Sequence, residues 1–388
     1  MNGLRLVSLL LHVLVGVSLV PALLHDAGPV AAAALVLWLV ASAVLMPLSM
    51  SLRARGRAES AADHAIAWSA LIAMGAFSSL FVLTALRAAS LGLLWIAARF
   101  DAVPVAVAAA WRADTAVAVP LVALALTAWG FHNARRPARV KSIDVPLKDL
   151  PAGLQGFRIA QLSDVHVGPT IKAGYLAPLI ARVNALEADL VAITGDLVDG
   201  SVRDLAPHVA ALADLRSRHG TFFVTGNHEY YAGAVPWIAE LRRLGLTVLM
   251  NEHVVLDHRA SPHAEAAPLV LAGVADWSAH HFEPTHRSDP HRALAGAPAH
   301  ATKVLLAHQP RSAEGAADAG FHLQLSGHTH GGQFLPWNLF VPLQQPFVAG
   351  LHAVRDLWVY VSRGTGYWGP PKRLGAPSEI TELRLVRA

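Results

Sequence analysis

Long apolar runs dominate the first third of the chain. Four of them, at 4–24, 29–50, 66–86 and 115–131, hold one charged residue between them, Arg5. A helix needs about 20 apolar residues to cross a bilayer, and four such runs in succession leave no polar face for a soluble helical bundle. The pattern therefore predicts a transmembrane region over residues 1–132 with four spanning helices.

The stretch 88–111 breaks this pattern, because it is apolar at both ends but carries Arg99, Asp101 and Pro104 in its middle. Two central charges would cost about 2.5–3.5 kcal/mol each on insertion. We expect this stretch to be an interfacial or re-entrant segment. If it crossed the bilayer, the rest of the chain would lie on the opposite side of the membrane. The first run has no small-residue cleavage site before Asp26, which favours an uncleaved span over a signal peptide.

Basic residues in the short loops predict the orientation. They lie before the first run, after the second and after the fourth, as Arg5, Arg53, Arg55, Arg57, Arg135, Arg136, Arg139 and Lys141. The loop around Asp26 has none, and the third loop spreads three arginines over a longer stretch. The bias predicts both termini in the cytoplasm, for a multi-pass protein of the plasma (inner) membrane.

After a linker at 133–144, short apolar runs alternate with amphipathic segments. The predicted strands are 157–162, 190–194, 221–225, 246–249, 269–274, 302–307, 321–325, 358–362 and 380–386. The predicted helices are 172–188, 205–218 and 235–244. Strands that alternate with helices indicate a layered α/β domain, here over 145–388.

Composition narrows the class of protein. Apolar residues make up 54% of the 388 residues, against about 45–50% in soluble domains, and charged residues make up 15%, against about 25%. A chain this rich in apolar residues is not a disordered protein. The absence of cysteine excludes disulfides, thiolate metal sites and a cysteine nucleophile. A net charge of +4 suits an anionic membrane surface or a phosphate-bearing substrate. We expect no nucleic-acid partner.

Metal-binding residue types follow five of the predicted strands. In chain order they are Asp164 and His166; Asp196 and Asp199; Asn227, His228 and Glu229; His308; and His328 and His330. Because ligands bind beyond the carboxyl ends of strands in α/β folds, we expect these side chains to meet. Carboxylate, amide and imidazole ligands together suit Mn, Fe or Zn better than a lone Mg. Their number predicts two metals with a bridging carboxylate, an arrangement suited to in-line attack on phosphorus.

The motifs DVH, GDLVD, GNHE, the lone His308 and GHTH resemble the pattern of calcineurin-like metallophosphoesterases. The resemblance implies stacked β-sheets flanked by helices, and two divalent metal ions. It implies that one metal is held by Asp164, His166, Asp196 and His330, and the other by Asp196, Asn227, His308 and His328. In such enzymes the residue at His228 is not a ligand but protonates the leaving group, while metal-bound hydroxide attacks. Asp199 and Glu229 would orient the ligands.

Two features narrow the resemblance. First, Gly200 and Ser201 follow Asp199, where phosphoprotein phosphatases carry a phosphate-binding arginine. Second, the motif GHTHGGQ resembles the one found in transmembrane bacterial phosphodiesterases. The implied function is a membrane-anchored phosphodiesterase or pyrophosphatase acting on a lipid-linked or nucleotide-linked substrate. A phosphomonoesterase acting on soluble substrates and a catalytically silent membrane scaffold remain open. A transporter is disfavoured, because the spans hold almost no charge.

Two further groups have less specific patterns. A histidine-rich stretch has no ligand spacing and is interpreted as solvated loop; it comprises His253, His258, His263, His280, His281, His286, His291 and His300. Trp337, Tyr367 and Trp368 would suit an apolar lip for a lipid, or equally an ordinary core or surface.

Overall fold

The computed structural model describes residues 2–53, 60–259 and 265–388. Arg55, Arg57 and His263 lie outside the described residues. The chain divides into two compact units, one made of residues 1–132 with 369–372, the other of 133–368 with 373–388.

The first unit is helical. Its helices are α1 (Asn2–Asp26), α2 (Pro29–Arg53), α3 (Ala61–Arg99) and α4 (Val105–Arg135). All four are long and apolar enough to cross a membrane, which confirms the four predicted spans. The stretch 88–111, for which we predicted an interfacial or re-entrant segment, forms no element of its own. It is the end of α3, a turn and the start of α4, because its helical propensity continues the neighbouring helices on both sides.

Apolar side chains fill the interior of this helical unit and also cover much of its exterior. Val15 and Leu19 of α1 are buried with Leu39 of α2, whereas Val17 and Leu37 point outward. The buried Arg87 of α3 donates hydrogen bonds to the Ser18 and Arg112 carbonyls and to the Thr115 hydroxyl. The guanidinium is thus satisfied by hydrogen bonds within the unit.

The second unit contains two six-stranded sheets. The first has the order β1-β12-β2-β3-β4-β5 and the second β10-β11-β9-β8-β7-β6. The strands are β1 (Arg139–Leu147), β2 (Arg158–Leu162), β3 (Leu190–Ile193), β4 (Thr221–Phe223), β5 (Thr247–Val248), β6 (Glu252–His258), β7 (Ala267–Gly273), β8 (Thr302–Leu306), β9 (Leu323–Ser326), β10 (Gly350–Val354), β11 (Leu357–Val361) and β12 (Glu379–Arg387). The helices are α5 (Ala173–Asn184), α6 (Val202–Val209), α7 (Asn227–Ala232), α8 (Ala234–Arg243), α9 (Pro290–Ala293) and α10 (Ala313–Ala319).

The two sheets share one core and each is covered on its other face by helices. Ile159 and Leu383 of the first sheet pack with Val304 and Leu325 of the second. The outer face of the first sheet packs on α5, α6 and α8, and that of the second on α9 and α10. This arrangement confirms the predicted α/β class of stacked sheets flanked by helices. The inner strands are buried on both faces, which explains their continuous apolar runs.

Three edge elements differ from the sequence interpretation. The segment 133–144, for which we predicted a linker, contains the end of α4 and most of β1. The solvated-loop interpretation is wrong for His253 and His258, which lie in β6; His258 is buried against Phe157. The third missed strand, β10, is also at an edge. Edge strands carry polar residues on their open side, so their apolar periodicity is weak.

Candidate active site

Parallel strands bring the five motif loops to the same edges of the two sheets. In the first sheet β2, β3 and β4 run parallel, and in the second β7, β8 and β9 do. The loops after β2, β3, β4, β8 and β9 therefore converge. They carry Asp164 and His166, Asp196 and Asp199, Asn227 to Glu229, His308, and His328 and His330 respectively.

Left-handed backbone conformations turn many of these side chains inward. Five of the predicted ligands have φ between 50° and 70°: Asp164, His166, Asp196, His328 and His330. Such values are uncommon for residues other than glycine and cluster at functional sites. Glycine allows the loops to touch, since a Cβ at Gly226 would overlap Asp196 Oδ1 and one at Gly327 would overlap Ser163 Oγ.

The first cluster is built from Asp164, His166 and His330, whose ligand atoms lie within 4.8 Å of one another. The Nε2 atoms of His166 and His330 are 3.0 Å apart, and His330 Nε2 is 3.5 Å from Asp164 Oδ1. The amide of His328 donates to the Asp164 carboxylate at 2.9 Å, which holds that carboxylate in place.

The second cluster is built from Asp196, His308 and His328. His308 Nε2 lies 3.2 Å from both Asp196 Oδ2 and His328 Nδ1, and His308 Nδ1 donates to the Thr194 carbonyl at 2.8 Å. Burial, reinforced by the nearby His308, lowers the pKa of His328 to about 3. The His328 imidazole is therefore neutral and has a lone pair to offer.

The two clusters meet at Asp196, whose Oδ2 is also 3.9 Å from His166 Nε2. The Asp196 loop is held by Glu229, a fully buried carboxylate that accepts hydrogen bonds from the amides of Asp196, Leu197, Val198 and Gly226 at 2.6–3.3 Å. Glu229 thus fixes the backbone from which Asp196 projects and joins the GDLVD loop to the GNHE loop.

His228 lies beside these clusters and shares a carboxylate oxygen with His166. Asp199 Oδ1 accepts from His228 Nδ1 at 2.7 Å and from His166 Nδ1 at 2.8 Å. Burial disfavours the charged form of His228, but Asp196 and Asp199 outweigh it and raise the pKa of His228 to about 9. His228 Nε2, 3.9 Å from Asp196 Oδ2, is left to face the clusters.

The donor set fits divalent metal ions. The buried Asn227 Oδ1 has no hydrogen-bond partner, which is costly unless a cation or another donor satisfies it. Asp199 also fixes the proton of His166 on Nδ1, which leaves the His166 Nε2 lone pair directed at the cluster. Neutral imidazole, carboxylate and amide oxygen together form a nitrogen and oxygen ligand set.

Comparison with known proteins agrees with this geometry. The sequence profile described as Calcineurin-like phosphoesterase matches residues 157–332. A Bos taurus protein named "Transmembrane protein with metallophosphoesterase domain" is 41% identical over 299 residues, which cover 72% of this chain and 67% of the relative. The chain belongs to the calcineurin-like phosphoesterase family. Its second unit is a metallophosphoesterase domain, and the family uses a divalent metal centre.

Other relatives combine the same features. A Danio rerio protein of the same name is 37% identical over 73% of this chain and 65% of its own length. An uncharacterised metallophosphoesterase of Helicobacter pylori is 38% identical over 66% of this chain and 66% of its own. The chain thus matches about two thirds of the length of these relatives. Together with the four candidate spans, the transmembrane relatives identify a membrane protein.

Arg373 is a positioning residue whose role the sequence motifs do not indicate. Its guanidinium is buried and donates to the carbonyls of His330, Arg363, Gly366 and Ala376, and its Nη2 donates to His330 Nδ1 at 3.2 Å. These contacts hold the GHTH loop against the chain after β11. A lone arginine among glycine and proline in the tail was the only available signal.

Aromatic side chains form a rim beside His228, and the sequence patterns indicated only Trp368 among them. The Tyr231 ring lies 5.1 Å from the His228 ring and the Trp368 ring 5.8 Å from it, and Phe282 packs on Tyr231. Tyr231 follows His228 by three residues on α7, a spacing that places both on one helix face. Of the aromatic residues proposed as a lip, Trp337 and Trp368 are exposed, whereas Tyr367 is buried.

Proposed function

We propose that this protein is a membrane-anchored, two-metal phosphoester hydrolase that cleaves a phosphodiester or pyrophosphate bond in a lipid-linked or nucleotide-linked substrate. The observation that carries the proposal is the convergence of the two clusters on Asp196, with His228 facing both. Two metals held side by side by a shared carboxylate would be suited to in-line displacement at phosphorus.

In this proposal the metals are held by Asp164, His166, Asp196 and His330, and by Asp196, Asn227, His308 and His328. Asp196 is the shared ligand, because its Oδ2 is close to histidines of both clusters. When bound, divalent ions would ease deprotonation of the attacking water and neutralise charge on the phosphoryl oxygens. The ligand set suits Mn, Fe or Zn.

His228 acts as the general acid. Its Nδ1–H donates to Asp199, so the imidazole is fixed and Nε2 is directed at the clusters. The raised pKa keeps Nε2 protonated at neutral pH. As the P–O bond to the leaving group breaks, the electron pair stays on the leaving oxygen, which takes the Nε2 proton. General acids of this kind contribute about 10²–10⁴-fold to the rate.

The surroundings of His228 support the proposed substrate class. The aromatic rings of Tyr231 and Trp368 flank His228, the proposed proton donor to the leaving group. Such rings suit a base, a sugar or an acyl chain better than a bare phosphate. No arginine occupies the position after Asp199 that phosphoprotein phosphatases use. Both features support a diester or pyrophosphate over a phosphoprotein.

A substrate panel tests this function. Full-length protein in mixed micelles would be given a soluble phosphodiester, a phosphomonoester and a diacyl nucleotide-sugar. We expect the acylated pyrophosphate to be hydrolysed fastest. Monoester hydrolysis far above both others, without benefit from acyl chains, would support the phosphomonoesterase alternative. Absence of any hydrolysis despite a full metal complement would support the silent scaffold.

Two variants separate the residue roles. His228→Ala should retain both metals and lose rate, with a smaller loss for substrates whose leaving group needs no proton. Asp196→Asn should lose metal, measured by elemental analysis of purified protein. An equal loss across leaving groups, or metal loss in His228→Ala, would contradict the acid role and make His228 a ligand.

We also propose that the domain lies on the cytoplasmic side of the plasma (inner) membrane. Arg135, Arg136 and Arg139 follow the fourth candidate span, as the positive-inside rule expects for a cytoplasmic flank. A C-terminal reporter that is active only outside the cytoplasm should stay inactive, whereas a cytoplasmic reporter at the same position should be active. The reverse pattern would place the hydrolase on the outer face.

A further inference from the structure

An exposed apolar segment interrupts the polar surface of the metallophosphoesterase domain. We name residues 335–343 the apolar tip. Among the described residues of this domain, the large exposed apolar side chains concentrate here, as Leu335, Trp337, Leu339, Phe340 and Leu343. Leu339 is 68% exposed and Leu343 is 80% exposed. No aspartate, glutamate, lysine or arginine occurs between His330 and Arg355, although such residues make up about a quarter to a third of ordinary surfaces.

The apolar tip is held outward by its base. At one end Phe334 is buried, and the Leu335 amide donates to the Leu374 carbonyl at 3.2 Å. At the other end Gln345 is buried and donates to Gln309 at 3.1 Å. Between these anchors, two single 3₁₀ turns at Trp337–Leu339 and Val341–Leu343 satisfy backbone groups locally. The tip is therefore anchored at both ends, while its large apolar side chains are exposed.

The apolar tip is connected directly to the candidate active site. It follows the GHTH loop, and Gln333, two residues before the tip, exchanges two 2.8 Å hydrogen bonds with the Trp368 backbone. The Trp368 ring in turn lies 5.8 Å from the His228 ring. The tip is thus joined through Gln333 and Trp368 to the immediate surroundings of His228.

The short connection to the membrane limits what can cover the tip. Helix α4 ends at Arg135 and β1 begins at Arg139. Even when extended at about 3.3–3.6 Å per residue, that connection reaches only about 15 Å, so the domain stays near the bilayer. Apolar patches of this kind mark interaction sites, and tryptophan beside leucine and phenylalanine is typical of segments that lie in a membrane interface.

We infer that the apolar tip inserts into the interfacial layer of the membrane that the chain spans. Leu339, Phe340 and Leu343 would enter the acyl-chain boundary, with Trp337 at headgroup level. Arg311, whose Nε donates to the Gln344 carbonyl at the base, would face the headgroups. This inference concerns how the domain meets the bilayer and stands independently of the substrate proposed above.

The absence of cysteine from the chain makes a direct test possible. Leu339→Cys and Leu343→Cys, made singly in the full-length protein, would be labelled with an environment-sensitive maleimide fluorophore. Val235→Cys, at a 61% exposed apolar position on α8, is the matched control. Each protein would be reconstituted into vesicles of phosphatidylcholine and phosphatidylglycerol. Quenching would be measured with doxyl-labelled lipid and with aqueous iodide.

We expect the probes at 339 and 343 to be quenched several-fold more by doxyl lipid than the probe at 235, and to be protected from iodide. Equal iodide quenching at all three positions, without lipid quenching, would overturn the inference. Protection from both quenchers at 339 and 343 would also overturn it, and would assign the tip to contact with a second copy. Wild-type metal content in each labelled protein would verify that the variants are folded.

Discussion

Asp199→Asn is the most informative single substitution, because one oxygen of this carboxylate serves two different histidines. Oδ1 accepts from His166 Nδ1 at 2.8 Å and from His228 Nδ1 at 2.7 Å. Asparagine has the same shape and can keep its oxygen in place, but it removes the negative charge. The change should therefore weaken both hydrogen bonds without opening a cavity.

The magnitude follows from the difference between charged and neutral hydrogen bonds. Bonds to charged groups contribute about 1.5–3 kcal/mol and neutral ones about 0.5–1.5 kcal/mol, so each contact should lose about 1–1.5 kcal/mol. The Asp199 side chain is only 11% exposed, so solvent screens little of this. At 1.36 kcal/mol per factor of ten, we expect metal affinity to fall about tenfold through His166. The rate at saturating metal should fall about tenfold through His228.

A double-mutant cycle separates the two effects. Metal affinity would be measured by calorimetric titration, and turnover at saturating metal, for Asp199→Asn, His228→Ala and the combination. In the His228→Ala background, Asp199→Asn should still weaken metal binding but should no longer affect the rate. Asp204→Asn is the control, since Asp204 bonds Ser201 and touches neither histidine. Wild-type metal affinity in Asp199→Asn, with the same rate loss in both backgrounds, would refute this reasoning.

Two further substitutions test a backbone contact at the site and the pH dependence of the domain's stability. Gly226→Ala should displace Asp196, since the new Cβ would overlap its Oδ1, and should lose metal by elemental analysis; Gly174→Ala, with open space around it, should not. Burial lowers the pKa of His258, and of His219 beside it, below the ordinary value of 6.5. At acid pH the unfolded chain therefore binds more protons than the folded one. The free energy of unfolding should hence decline below a pH of about 6.5, and His258→Gln should make that decline shallower in chelator-treated protein followed by circular dichroism. An equal slope in both proteins would exclude His258 as a source.

The inner strands and the site loops could be predicted from the sequence because burial and metal binding each require recognisable residue types within a short segment. Strands such as β3 and β8 are apolar throughout, as burial on both faces requires. The polar residues that follow them are metal-binding types at two-residue spacings. Parallel strand ends meet in space, so local patterns were enough to expect that Asp164 and His330, far apart in sequence, come together.

Other parts of the site depend on contacts between residues far apart in sequence, which no local residue pattern indicates. Nothing in the residue types shows that Asp164, Asp196 and His328 adopt φ values of 50–70°, because those values are imposed by neighbouring loops. The four-carbonyl contact of Arg373 depends in the same way on how the tail folds back. Strand β1 was not predicted because Arg139, Lys141 and Asp144 interrupt its apolar residues on both faces, and its partner strand lies some 240 residues later.

The pairing of β1 with β12 has a consequence for synthesis. Strand β12 lies between β1 and β2 and pairs with β1 from Arg139–Glu379 to Leu147–Arg387. The ribosome therefore releases the sheet's outermost strand long before the strand that connects it to the rest. At about 5–20 residues per second, the wait is on the order of 10–50 s. During that time β1 emerges directly after a membrane helix, with an unpaired edge and no neighbour to shield it. Only when Glu379–Arg387 has been made can β1 join the first sheet, so this sheet is completed some 240 residues after its edge strand is translated.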